Sequence, residues 1–517
     1  MRLKRTKTCG ELRSADAGIE TVLSGWVASS RDHGGIRFIN LRDRYGVAQV
    51  VIDESSPEHI RKAAARLRDE YCISVSGNVR LRPAEMINKE QDTGQIEEVA
   101  ADLEVLSTCD SLPFTISDTV EAREDLRQTF RYLDLRSGVM QRNMALRSAV
   151  STEVRAAMID QGFLEIETPT MVRSTPEGAR DFIIPSRLSP GRFYALPQSP
   201  QIFKQLLMVS GLDRYFQIAR CYRDEATRGD RQPEFTQIDI EASFVEQEDI
   251  FDSVETMMVR VFSQCLNQQL ETPFPRITHD VAINRYGSEN PDLRFDLPLT
   301  DFNSIAERTD FKVFRSVLAD GGGIRALTVP ADFGLSRSRI DVIEKQVKSQ
   351  GAKGLAWTRV TGDSFDGGIA RFLSGVDREA IEVLGATQGD VVLFVADKLK
   401  IACESLGEVR NSLGKTQNLK GHRFCWINDF PLFEWDEEGN RWDPSHHPFS
   451  MPNDEDLNRL ESDPGSVRGQ VYDLVIDGVE LGSGSIRIHD RSLQERVFSL
   501  IGINQEEARR RFGFMLD

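Results

Sequence analysis

The chain is predicted to be a multidomain α+β protein: a small five-stranded β-barrel first, then a larger antiparallel β-sheet flanked by helices and interrupted by an α/β insertion. Three observations carry that expectation. Short alternating strands crowd residues 21–109, paired alternating stretches flank a charged run at 220–239, and the composition shifts between 290 and 410. At 517 residues the chain is also too long for one hydrophobic core.

In the first segment, 1–110, the predicted strands are Val22–Val27, Gly35–Leu41, Val47–Ile52, Ile73–Val79 and Ile96–Val105. An amphipathic helix, Glu58–Glu70, falls between the third and fourth. Five strands with a helix after the third is the order of an OB-fold, although another small barrel would share the strand count. Phe38 and Gln49 lie on adjacent predicted strands of the face that OB-folds offer to single-stranded nucleic acid. An alternating strand also buries aromatics, so Phe38 is equally eligible for the core.

Residues 111–140 read as a polar hinge, and 141–289 as the first part of the sheet domain. A helix is predicted from Gln141 to Gln161, with Met144, Val150, Val154 and Met158 at helical spacing and Gly162 as its cap. The following strand, Phe163–Pro169, ends on a residue restricted to strand edges or ends. Between 290 and 410, glycine-rich turns (321–323, 367–368) separate short elements, and Gly389–Asp397 reads as one buried strand. That segment gathers no paired catalytic residue types and is taken as an inserted domain. Residues 411–517 return to the sheet domain.

Net charge is −17, from 64 basic and 81 acidic residues, which argues against non-specific nucleic-acid binding by the whole surface. Any such partner must use local patches, such as Arg31, Arg37, Arg42 and Arg44. The seven cysteines form no CxxC pair, so neither zinc nor a disulfide framework is indicated. No apolar run has the length of a membrane span or a signal segment, and a cytoplasmic location is expected.

The charged run Arg220–Asp239 combines guanidiniums (Arg223, Arg228, Arg231) for phosphates with carboxylates and an aromatic (Glu225, Phe235) for a base. Near the C-terminus, Asp477-Gly478 is a strong hairpin signal. Folding about it sets Val475 opposite Glu480, so Asp473 shares a sheet face with Glu480. Two carboxylates on one face call for a counter-charge, and a divalent cation is the obvious one. Gly482 and Gly484 would let a ligand approach the backbone. Arg487 is set on the opposite face by strict alternation, unless a bulge at Gly482 or Gly484 restores it.

Tyr222-Arg-Asp-Glu225 with Phe235 resembles motif 2 of the class II aminoacyl-tRNA synthetases. Pro197–Lys204 and Ser174–Phe182 narrow the resemblance to the bacterial aspartyl type, over nearly the whole chain. It implies an aspartate–tRNA ligase that uses ATP and Mg²⁺, with tRNA(Asp) as partner and a homodimer formed through the helix, strand and Pro169 of motif 1. It implies that Arg223 clamps the α-phosphate and the reacting carboxylate, that Asp224, Glu225, Gln232, Phe235 and Glu480 serve ATP, and that Asp473 and Glu480 serve the metal. Lys204 and Arg487 would face the substrate's side-chain carboxylate. Glu177 and Asp239 would accept its ammonium, with Gln201 and His446 also in that pocket. Arg31, His33, Phe38 and Gln49 would read the anticodon. His33 is the residue type of members that also charge tRNA(Asn), whereas Glu85 does not match the glycine often paired with it, so that question stays open here.

Family members continue past the equivalent of Asp517 into motif 3, a glycine-rich strand ending in an arginine for the γ-phosphate; this chain carries no Gly-x-Gly-x-Asp-Arg pattern. The expectation is a chain without that segment, and a non-catalytic tRNA-binding or regulatory relative is the alternative reading.

Overall fold

The computed structural model describes residues 2–119, 121–174, 180–226 and 231–516. The chain divides into two compact units, 1–150 and 151–517.

In the first unit, β1 (Glu20–His33), β2 (Ile36–Asp43), β3 (Gly46–Ile52), β4 (Cys72–Leu81) and β5 (Ile96–Ser107) close into a barrel in the order β1-β2-β3-β5-β4. Closure is driven by the alternating apolar side chains, Leu23, Val27, Ile39, Leu41, Val50, Ile73 and Val75, which meet inside it. Each contributes about 1.5–3 kcal/mol by leaving water. The helix after β3, α1, covers only Glu58–Ala64, ending before the predicted Glu70. Glu70 is drawn inward instead, with a left-handed backbone and a buried carboxylate held by Arg42 and Arg136. Short helices α2 (Glu124–Thr129) and α3 (Arg131–Asp134) follow, and α4 (Gly138–Asp160) begins in this unit and ends in the next.

Glu98 on β5 is fully buried, and neither carboxylate oxygen has a hydrogen-bond partner. Burial holds its carboxyl well above the usual range, offset in part by Thr21. A raised acid favours the folded state fully below about pH 4.3, the ordinary glutamate value, and loses that contribution as pH rises toward the raised value. Glu98→Gln should therefore gain melting temperature on the parent as pH increases from about 5 to 8. Parallel melting curves across that range would show that Glu98 does not titrate.

The second unit begins with α4's end and β6 (Leu164–Glu165), then the hairpin β7 (Ile183–Pro185) and β8 (Phe193–Ala195), and α5 (Gln201–Val209). β9 (Arg214–Tyr222) and β10 (Glu234–Ala242) form the long antiparallel pair on either side of the charged run. α6 (Gln247–Leu266), β11 (Arg276–Thr278) and α7 (His279–Tyr286) come next.

Residues 299–414 build a sheet of their own, ordered β12 (Leu299–Asp301), β13 (Gly323–Val329), β16 (Val391–Asp397), β14 (Ala356–Thr361), β15 (Ser364–Asp366). Its central strand β16 is buried on both faces. α10 (Arg337–Ser349) and α12 (Leu399–Gly414) pack on one side, α8 (Asn303–Ala306), α9 (Lys312–Ala319) and α11 (Asp377–Leu384) on the other. The chain then returns through β17 (Phe424–Asn428), the hairpin β18 (Phe433–Asp436) and β19 (Arg441–Pro444), β20 (Val471–Ile476), β21 (Val479–Ser485), α13 (Arg491–Leu500) and α14 (Gln505–Leu516).

Besides the two-stranded hairpins β7-β8 and β18-β19, two larger sheets outside the inserted one belong to the second unit, β10-β9-β6 and β11-β17-β20-β21. Among the described residues they are separate ladders, and each has one parallel edge pair, β6 with β9 and β11 with β17, where a single antiparallel sheet was expected. β6 is shorter than the predicted Phe163–Pro169: only Leu164 and Glu165 pair, and Pro169 lies exposed beyond them. No described helix is long and apolar enough to cross a membrane.

Candidate active site

α5 places Gln201 and Lys204 on one helical face, three residues apart, and buries both against β10. On β10, Asp239 and Glu241 share a strand face, two residues apart. Lys204 donates from Nζ to Asp239 Oδ1 at 2.7 Å and lies 3.3 Å from Glu241 Oε2. Burial opposes the ammonium's charge, but the two carboxylates outweigh it and hold its pKa above the ordinary value. Arg487 completes the cluster: Nη2 donates to Gln201 Oε1 at 2.9 Å, Nη1 donates to Ser485 Oγ at 2.6 Å, and Nε lies 3.9 Å from Glu241.

Arg487 reaches this cluster through a bulge. β20 and β21 pair Val475 with Glu480 and Leu474 with Gly482, leaving Leu481 as the extra residue. The bulge thus lies one residue before the predicted Gly482, and it turns Ser483, Ser485 and Arg487 to the side that carries Glu480 and Asp473. Gly484 does not open space for a ligand, because a Cβ there would lie 2.6 Å from the Tyr472 ring. A Cβ at Gly482 would meet nothing within 4 Å.

Asp473 is buried, its Oδ1 has no hydrogen-bond partner, and burial together with Glu480 holds its carboxyl well above the usual range. An orphaned buried carboxylate beside an exposed one fits a cation. Among the described residues no group of three or more ligating side chains converges, so the pair suits an ion arriving with other ligands rather than a closed protein cage.

On the β9–β10 pair the Arg223 guanidinium lies over the Phe235 ring, 5.2 Å from its centroid, and among the described residues its buried Nε has no partner. The Arg223 N–H donates to Pro233 O at 2.9 Å, extending the pairing of the two strands by one step. Glu225 pairs loosely with Arg231 at 3.8 Å, and Asp224 and Gln232 are exposed. Glu177 and Arg228 lie outside the described residues.

The two histidines differ in their surroundings. His447, not His446, feels the Lys204 and Arg487 charges. Its Nδ1 accepts the Phe449 N–H, so the ring's proton sits on Nε2, which is buried without a partner. Burial first, then those two cations, hold it well below its usual pKa, and it is neutral. His446, the residue before it, lies edge-on to Phe430, with Glu289 as its neighbouring carboxylate.

Among the described residues six buried polar atoms therefore lack a hydrogen-bond partner beside the expected reacting groups: Gln201 Nε2, Arg223 Nε, His447 Nε2, Arg487 Nε, Asp239 Oδ2 and Asp473 Oδ1. Buried polar atoms in folded proteins are ordinarily paired. The first four are donors, suited to carboxylate and phosphate oxygens. The last two are acceptors, suited to an ammonium and a cation.

In the barrel, Arg31 stands directly across from Phe38, and Phe38 across from Val51. A bulge between Val27 and Ser29 makes this possible: it leaves Val27 inside and turns Ser29 and Arg31 outward. Gln49 pairs with Asn40 and donates to Glu97 Oε2 at 2.9 Å, while Arg80 Nε donates to Glu97 Oε1 at 2.7 Å. His33 is exposed at the end of β1, beside the Gly34-Gly35 turn.

The family described as tRNA synthetases class II (D, K and N) matches residues 123–517. The chain belongs to that family. An OB-fold nucleic acid binding domain matches residues 21–106. The class II synthetase chain is 51% identical to the aspartate–tRNA(Asp/Asn) ligase of Treponema denticola, covering 100% of this chain and 88% of the relative. It is 48% identical to the enzyme of the same name from Geotalea uraniireducens, over 99% and 87%. The asparaginyl-tRNA synthetase of Pyrococcus horikoshii, complexed with asparaginyl-adenylate, shares the fold with a TM-score of 0.60 at 17% identity, over 98% of this chain and 89% of that one. The aspartyl-tRNA synthetase of Entamoeba histolytica does so at 0.57 and 17%, over 99% and 84%.

Sequence reasoning missed Glu241, His447, Glu97 and Arg80 in this class II synthetase. The alternation Asp239-Ile-Glu241 signalled the first. The other three depend on packing and on the parallel β3–β5 pairing, which leave no local signature.

Proposed function

We propose that this protein is an aspartate–tRNA ligase that joins L-aspartate to the α-phosphate of ATP and transfers it to tRNA(Asp) and tRNA(Asn) in the cytoplasm. The observation that carries the reading is the buried Lys204–Asp239–Glu241–Arg487 cluster with its unpaired acceptor on Asp239. Two cations suit a side-chain carboxylate, and Asp239 Oδ2, with Glu177 from the neighbouring loop, suits an ammonium. An asparagine side chain would leave both cations without an anion, a difference on the order of several kcal/mol.

In the first step an aspartate α-carboxylate oxygen attacks the α-phosphorus and pyrophosphate leaves. In the second, a terminal ribose hydroxyl of tRNA attacks the mixed anhydride and AMP leaves. Neither step needs a covalent enzyme intermediate, so placed charge carries the catalysis. Arg223 supplies a planar fork to the carboxylate and the α-phosphate, and Phe235 supplies a face for adenine, with Glu225 and Gln232 beside it. Asp473 and Glu480 would hold Mg²⁺, which supplies neutralisation of phosphate charge. His447, neutral and with a free Nε2–H, replaces His446 as the pocket's histidine.

The aspartate-dependent exchange of pyrophosphate into ATP by the purified chain tests the reading. Exchange with aspartate and none with lysine or asparagine is expected; exchange with none of the three would leave the non-catalytic relative as the better account.

The exposed barrel face with Arg31, Phe38, Gln49 and His33 is assigned to the anticodon. His33, with the Asp/Asn names of the relatives, supports acceptance of tRNA(Asn). Phe38→Ala should weaken tRNA binding by roughly 1–3 kcal/mol, the worth of one base stacked on an aromatic, with pyrophosphate exchange unchanged. A matching fall in exchange would make Phe38 a folding residue. Exposed apolar side chains along α4 and just after it (Met144, Leu146, Ile159, Leu164, Met171), with exposed Pro169, support a homodimer through this region, which light scattering on the purified chain would reveal.

A further inference from the structure

The hairpin that carries Asp473 and Glu480 has one free edge. β21 ends its sheet, and among the described residues it hydrogen-bonds as a ladder only to β20. Val479 and Leu481, on either side of Glu480, are half exposed. The ladder therefore constrains Glu480 from one side alone, and the turn at Asp477-Gly478, two residues away, becomes the second constraint.

That turn is gripped by the segment entering the inserted sheet. Asn290 donates from Nδ2 to Gly478 O at 3.1 Å, and Arg294 Nε lies 3.4 Å from Asp477 Oδ1. Arg294 is itself held by Asp292 at 2.7 Å. Gly478 has φ +84° and sits so close that a Cβ would lie 3.1 Å from Asp292 Cβ. His422 Nδ1 also lies 2.6 Å from Asp477 Oδ2.

The strap is anchored in turn to the inserted domain. Arg410 on α12 is fully buried and donates to the carbonyls of Asp292 (2.8 Å), Phe295 (3.2 Å) and Leu297 (3.0 Å). Its guanidinium lies over the Phe295 and Tyr286 rings at 4.3 and 5.0 Å. Gly287, at the end of α7, meets Gly407 of α12 backbone to backbone, where a Cβ would lie 2.7 Å from the Gly407 Cα. A continuous chain of contacts thus runs from α12 through the strap to the turn.

We propose that Asn290 and Arg294 are positioning residues for the carboxylate hairpin, so that the anchoring of the inserted domain sets where Glu480 and Asp473 stand relative to the ATP phosphates. The inference rests on the reading of those two carboxylates as the Mg²⁺ ligands. In the full chain, Asn290→Ala and Arg294→Ala should each raise the Mg²⁺ concentration for half-maximal pyrophosphate exchange by about fivefold, the loss expected for one ordinary hydrogen bond. The KM for aspartate should stay put. Binding of Mn²⁺·ATP, followed by electron paramagnetic resonance without turnover, should weaken by a similar factor. Hydrogen exchange should quicken at 477–485 and not in the barrel. Arg294→Lys should recover part of the effect.

Unchanged Mg²⁺ dependence and Mn²⁺·ATP binding in both alanine variants would overturn the inference, as would an equal rise in the KM for aspartate or a uniform acceleration of exchange. Asp473→Asn and Glu480→Gln separate the two levels. If they shift the Mg²⁺ dependence and the strap variants do not, the strap alone is wrong. If they leave it unmoved, the metal reading falls and takes the strap with it.

Discussion

Arg223→Ala is expected to slow aspartate-dependent pyrophosphate exchange by about 10²–10³-fold, the usual effect of removing one preorganised donor from a site that works by placed charge. The melting temperature should hardly move. In the ligand-free protein the guanidinium spends its charge on the Phe235 face, a contact worth only about 0.5–1 kcal/mol where solvent reaches it. Arg223→Lys should recover little, because an ammonium is a point charge and cannot bridge a carboxylate and a phosphate with two parallel donors. Exchange within about tenfold of the parent in the alanine variant would show that another cation stabilises the transferring group.

Lys204→Met should have two large effects that separate experimentally. Removing the ammonium leaves Asp239 and Glu241 buried and facing each other, with Arg487 3.9 Å from Glu241 as the nearest compensation. Breaking a buried pair in this way costs about 3–5 kcal/mol of stability. It should also raise the KM for aspartate by on the order of 10²-fold, and weaken rejection of asparagine, since one of the two cations facing the side-chain carboxylate is gone. Adding Asp239→Asn removes the repulsion and should restore much of the melting temperature while aspartate affinity stays lost. Equal losses for aspartate and asparagine would show that Lys204 holds the sheet together and does not choose the substrate.

The strands of the barrel, the long antiparallel pair around Arg220–Asp239 and the Asp477-Gly478 turn were all legible in the chain. Their signals are local: alternation with period two, and a turn dipeptide that tolerates positive φ. The Val475–Glu480 register followed from the turn alone and stands as expected. Lys204, Asp239 and Arg487, named through a resemblance carried by contiguous residues, lie in one cluster with Glu241.

The position of a bulge was beyond that kind of reading: one at Gly482 or Gly484 was the condition for Arg487 to reach the site, and the structure has it at Leu481. An extra residue at Leu481, and another between Val27 and Ser29, each flip every following side chain to the other face, so strict alternation from the sequence places Arg487 and Arg31 on the wrong side. Packing decides where a bulge falls: Val27 stays in the barrel core while Arg31 must leave it. The choice between His446 and His447 was closed to sequence for the same reason, since adjacent residues point apart and only the surroundings tell which one meets Lys204 and Arg487. Chain-distant contacts lie furthest from the sequence. Glu97 reaches Gln49 through a parallel strand pair, and Arg410 holds the strap at Asp292 across more than a hundred intervening residues. Residue types and short-range periodicity determined which chemistry this protein holds; the closing of long loops determined which of those groups face one another, because that depends on free energies summed over the whole fold.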